Sequence, residues 1–144
     1  MKQAWIAGLL LFSAATTAAQ TKESILDPAR AIAAADASRT GYHGRFAMTV
    51  LSTGTSRTAT YLNATADYRA PDALTFRLAP NVAAAMEKRY GAPADQYLKG
   101  KRVTVEGIVQ RRMIVNSRYG KAESFNRWTH EVYVRLPGQI IAVE

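Results

Sequence analysis

The sequence predicts a mainly β protein: a small five-stranded barrel, with a helix between its third and fourth strands and a short helix ahead of it. Three observations carry this. Apolar and polar residues alternate in short runs such as Phe46, Met48, Val50 and Leu74, Phe76, Leu78, the period of a half-buried strand. Between these runs and the next, Val82, Ala85, Met86 and Arg89 follow helical spacing. Glycine and proline clusters separate the segments.

Taken in order, the chain begins with Lys2, an apolar run Ala4–Phe12 and small residues Ser13–Ala19. A basic start, an apolar middle and a small-residue end predict a secretory signal peptide over 1–19. The run is too short to span about 30 Å of hydrocarbon, which takes roughly 20 apolar residues. Residues 20–42 then form an N-terminal segment. Asp27-Pro28 offers a cap and a first-turn proline, and the alanine-rich stretch after it predicts a helix over Pro28–Ser38.

From residue 43 the pattern becomes β. Arg45–Leu51 is the first strand and Ser52–Ser56 a turn cluster. Thr58–Asn63 is the second strand, rich in residues that suit a pleated surface. Ala70-Pro71-Asp72 turns into the third, Leu74–Leu78. Asn81 is a candidate cap for the helix that follows, Gly91-Ala92-Pro93 ends it, and Ala94–Leu98 adds a helical turn. The fourth strand is Arg102–Val109, continuing through Met113–Val115, with Gly107 marking a bulge or bend. Asn116–Asn126 reads as a polar loop. The last strand, Trp128–Leu136, places Trp128, His130, Val132, Val134 and Leu136 on one face, and Gln139–Val143 closes the chain. Three strands, a helix and two strands is the order of a five-stranded Greek-key OB barrel; its span is 43–144.

Charge bounds the partners. The chain has 19 Lys and Arg against 11 Asp and Glu, a formal charge of +8, and 13 of the basic residues are Arg. Arginine offers a planar fork of donors suited to phosphate and carboxylate. There is no cysteine, so thiol nucleophiles and cysteine-based metal sites are excluded.

Three stretches add a resemblance. Tyr61-Leu62-Asn63, Asp67-Tyr68-Arg69 and Leu74-Thr75-Phe76 resemble the second and third strands of bacterial exported OB-fold, nucleic-acid-binding-like proteins. Lys99–Gly107 resembles the opening of their fourth strand, and Pro137-Gly138-Gln139-Ile140 their closing one. The resemblance covers about residues 43–143 and implies the fold and, by analogy, a binding role. Some proteins of this pattern are linked to staphylococcal-type nucleases, but no Asp/Arg/Glu cluster lies on the second strand; Asp67, Arg69 and Asp72 read as a turn with solvated charges.

The candidate ligand-binding residues fall in two groups. Arg111, Arg112, Arg118, Lys121 and Arg127 surround Tyr119 and Phe125 between the last two strands. Cations track phosphates and rings stack on bases, so this mixture suits a single-stranded nucleic acid. Arg45, Tyr61, Tyr68, Arg69 and Arg77 are candidates on the face of the second and third strands. His43 and His130 lack the partners of a zinc site, and Glu106 and Glu131 read as exposed cross-strand charges facing Arg or Lys. No catalytic residue, metal or cofactor is expected. The expectation is a non-catalytic, periplasmic or secreted module that binds single-stranded nucleic acid or another polyanion. The alternative is a periplasmic adaptor for a protein or envelope component.

Overall fold

A computed structural model describes residues 23–144; the expected signal peptide lies outside the described residues. The protein is mainly β, a curled sheet with helices at its ends. The elements are β1 (Ile25–Leu26), α1 (Pro28–Asp36), β2 (Tyr42–Thr49), β3 (Ser52–Thr55), β4 (Thr60–Asn63), β5 (Leu74–Leu78), α2 (Pro80–Tyr90), α3 (Ala94–Tyr97), β6 (Arg102–Arg118), β7 (Lys121–Val134), a 3-10 turn (Pro137–Gln139) and β8 (Ile140–Val143).

The first helix forms where its cap and proline place it. The Asp27 carboxylate accepts from the Arg30 N–H at 2.9 Å, satisfying one of the donors a helix start leaves open. Ala31 and Ala35 are its buried side, and the helix ends at Asp36, two residues short of the expected Ser38. Phe46, Met48 and Val50 enter the core as the alternation requires, as do Leu62, Leu74, Phe76 and Leu78. α2 and α3 add Val82, Met86, Ala94 and Leu98. Gly91 ends α2 with φ +75, a conformation glycine adopts without a Cβ clash.

Among the described residues, eight strands stand where five were expected. The first expected strand is broken: β2 pairs with β6 up to Thr49, and after Val50-Leu51 the chain continues as β3 against β4. The Ser/Thr cluster at 52–56 is therefore strand up to Thr55, and the turn shifts to Ser56–Ala59, closed by a 2.9 Å bond from Ser56 N–H to the Ala59 carbonyl. Short β1 adds in parallel to β2, and β8 adds to β6. β4 pairs with β5, β5 runs parallel to β7, and β7 pairs with β6. The pairing path thus leaves from β2 and returns to β3, two parts of one continuous stretch of chain.

Three local expectations are also corrected. Asn81 does not cap α2; Ala79 holds that position, and the Asn81 amide donates to the Arg135 carbonyl at 2.9 Å. Gly107 is not a bulge, since β2 and β6 pair without a shift across Gly44 and Gly107. Its missing side chain is needed for space: a Cβ there would lie 3.0 Å from Val132 Cγ1 and 3.2 Å from Gln139 Nε2. The polar stretch 116–126 is not a loop. It carries β6 and β7 onward as a two-stranded ribbon, with register shifts at Ile114/Val115 and Asn116/Ser117. Tyr119 and Gly120, with φ +50 and +75, form the two-residue turn at its tip, where hairpin twist favours positive φ at both positions.

Candidate nucleic-acid interface

The outward residues of β4, β5 and β7 build a groove. Ladder pairing sets Tyr61 beside Arg77 and Tyr133 in one row, and Asn63 beside Thr75 and Glu131 in the next. β3 forms one wall, the 64–73 connection contributes Tyr68, and the ribbon supplies Arg112, Ile114 and Arg127. The groove has a volume of about 520 Å³.

The floor is polar and buried. Asn63, Thr75 and Glu131 are all at most 6% exposed. Thr75 donates to the Asn63 amide oxygen at 2.9 Å, and the Asn63 amide donates to Ser52 Oγ at 3.2 Å. Such a row persists because its members satisfy one another. Glu131 is the correction to the expectation of exposed carboxylates. Its Oε1 meets Arg112 Nη1 directly and Arg77 Nε at 3.6 Å. Glu106 does keep the expected cross-strand cation, Arg45 Nε at 3.3 Å.

Cations and rings line the rest. The Arg77 guanidinium lies 4.0 Å from the Tyr133 ring centre. Tyr68, 53% exposed, has the guanidinium groups of Arg127 and Arg69 at 5.3 and 5.6 Å from its ring centre. The Nε atoms of Arg77 and Arg127 are buried without a hydrogen-bond partner among the described residues. The Arg69 backbone N–H, and after it the Arg69 guanidinium, hold the Asp67 carboxyl below the usual carboxylate range; this pins the turn that presents Tyr68.

The structure brings together Tyr61, Tyr68, Arg77, Arg112 and Arg127 and places the other candidates elsewhere. Arg45 lies on β2, between Glu106 and Glu23. Arg69 stands at the rim on Asp67. Arg111 is on the other face of the ribbon, over the Trp128 ring at 4.4 Å and 3.9 Å from Asp36. Arg118, Tyr119 and Lys121 occupy the tip. His130 is buried at the foot of the ribbon with Nε2 2.8 Å from Asp36 Oδ1. No group of three His, Asp or Glu side chains is placed to hold a metal among the described residues. Sequence reasoning missed Asn63 and Thr75 as groove residues; their shared parity with Arg77, opposite the core residues, was the available signal.

Tyr119 is 93% exposed in a backbone conformation that favours Asn or Gly. Tyr119→Asn is expected to leave thermal stability unchanged or raised, because it relieves the turn. If the tip ring stacks on a base, oligonucleotide affinity falls about tenfold. Thermal melts and fluorescence anisotropy check both halves.

No family model and no curated protein matches the chain. Among solved structures, it is similar to a chain assigned as an aspartyl-tRNA synthetase from Leishmania major Friedlin, with 9% identity, a TM-score of 0.38 and 82% of this chain covered. The match spans only 21% of the synthetase chain. A second similar structure is a small single-stranded DNA-binding protein from Streptomyces coelicolor, with 16% identity, a TM-score of 0.36, and coverage of 72% of this chain and 93% of that one.

Proposed function

We propose that the groove binds single-stranded nucleic acid, on a barrel of the OB type and without catalysis. The strand pairing supports the fold assignment. Taking β2 and β3 as one strand, the path runs through a second and third strand, a parallel step to the fifth and back through the fourth to the first, the closure of a Greek-key OB barrel.

One observation carries the function: Arg77, Arg112 and Arg127 converge with Tyr61 and Tyr68 on a single cleft. Guanidinium groups draw in the polyanion, and the rings stack on bases. A labelled oligonucleotide titrated at two salt concentrations tests it. Affinity is expected to fall steeply as salt rises, because binding releases counterions; no binding at low salt removes the proposal.

A second reading is an adaptor for a protein or envelope component. The exposed Met113, Val115, Phe125 and Trp128 on the ribbon favour it. If reversing the charges of Arg111, Arg112 and Arg118 leaves a partner captured from envelope extract bound, the adaptor reading gains. Export to the periplasm or medium is proposed with either, on the basic, apolar and small-residue order of residues 1–19.

A further inference from the structure

We propose that Glu131 makes the groove select bases that carry an exocyclic amino group, cytosine before thymine. The inference rests on the reading of the cleft as a single-strand site.

A carboxylate in the floor of a polyanion groove opposes phosphate binding, so its placement needs a reason. Glu131 is 6% exposed, and Oε1 is the oxygen that meets Arg112 and faces Arg77. No hydrogen bond reaches Oε2 among the described residues, and Oε2 is not among the buried polar atoms left unsatisfied. Glu131 lines the groove, so its second oxygen is an open acceptor there. Arg112 and Arg77 stand beside it as donors, and Thr75 and Thr129 line the same stretch. Tyr61 and Tyr68 supply the faces against which a base would stack, so base edges rather than phosphates meet the floor.

The edges of the two pyrimidines differ in sign at this point. Cytosine presents an N4 amino donor, with ring acceptors N3 and O2 next to it. A carboxylate accepting from N4 beside a guanidinium donating to the acceptors matches that order. Thymine presents the O4 carbonyl where cytosine has its amine, and two acceptors then face each other. Both are single-ring bases, so the comparison holds ring size constant.

Anisotropy titrations with labelled oligo(dC) and oligo(dT) of equal length, at one low salt concentration, test the inference. The wild-type protein is expected to bind oligo(dC) about tenfold more tightly. An oligonucleotide of N4,N4-dimethylcytosine, which keeps the ring but lacks the amino donor, is expected to fall to the thymine level. In Glu131→Gln the arginines take the amide oxygen and the NH2 replaces Oε2, a donor in place of an acceptor. Oligo(dT) is then expected to bind at least as tightly as oligo(dC).

Equal wild-type affinities overturn the inference while leaving the groove a single-strand site. So does a cytosine preference that survives in Glu131→Gln or with the dimethylated base. The dimethylated arm uses the wild-type chain and decides the matter if the variant does not fold. Absence of binding to every oligonucleotide overturns the parent reading and this one with it.

Discussion

Replacing Ile114–Arg127 with Asn-Gly is expected to leave the barrel folded and to weaken oligonucleotide binding about 100-fold. Met113 and Trp128 are directly opposed in the ladder, so a two-residue turn can join them, and Asn-Gly supplies the positive φ that such a turn needs. The core cluster takes Val103, Val105 and Val109 from β6, Val132 and Val134 from β7, and no residue from the excised stretch. Urea denaturation should therefore report stability within about 1 kcal/mol of the parent, as for changes that leave the core intact. Binding loses Arg127 from the groove and, for a strand that continues out of it along the ribbon, Arg118 and Lys121 at the tip. Three charge-assisted contacts at about 1 kcal/mol each amount to about 100-fold. The plot of log affinity against log salt should also become shallower by about 2, at about 0.7 per phosphate contact on a single strand. A shortened chain that binds with undiminished affinity and slope would place the ligand elsewhere.

What the sequence made legible was parity and punctuation. Phe46, Met48, Val50, Leu74, Phe76 and Leu78 declare their inward face by alternation alone, because a buried strand face admits little else. Asp27-Pro28 declares a helix start for the same kind of local reason. The ribbon beyond Val115 was hidden because Asn116–Asn126 is mostly polar and shows no alternation of apolar residues. Only Gly120 pointed to its tight turn. The break at Val50-Leu51 was hidden too, since which neighbour a strand pairs with at each point is a property of the assembled sheet.

The site was legible by half for a related reason. Arg77, Arg112 and Arg127 lie 15 to 50 positions apart, and their convergence depends on the parallel step from β5 to β7. Arg111 and Arg112 are neighbours in sequence, yet pleating sends one to Asp36 and Trp128 and the other to Glu131. The burial of Glu131 was not legible, because the cover over it is made of arginine side chains from two other strands. Charge composition forecasts attraction to a polyanion, whereas the cleft that would use it appears only with the register.

The Arg112–Glu131 pair carries the largest expected effect on stability. Arg112→Leu is expected to cost about 2–3 kcal/mol in urea denaturation, below the range for a fully buried pair because the guanidinium is partly solvated. The cost arises from Glu131: with Arg112 gone, its buried charge retains only Arg77, whose Nε is 3.6 Å away. Arg112→Leu/Glu131→Leu removes the stranded charge together with its partner. The double variant is expected to be more stable than Arg112→Leu alone, since replacing both members of a buried pair is often close to neutral. A cycle built from the two singles and the double isolates this coupling, as the residues are in contact. If Arg112→Leu costs less than about 0.5 kcal/mol, the pair behaves as an ordinary surface contact. Glu131 would then hold its place without help, and the groove floor would owe its form to the Asn63–Thr75 row alone.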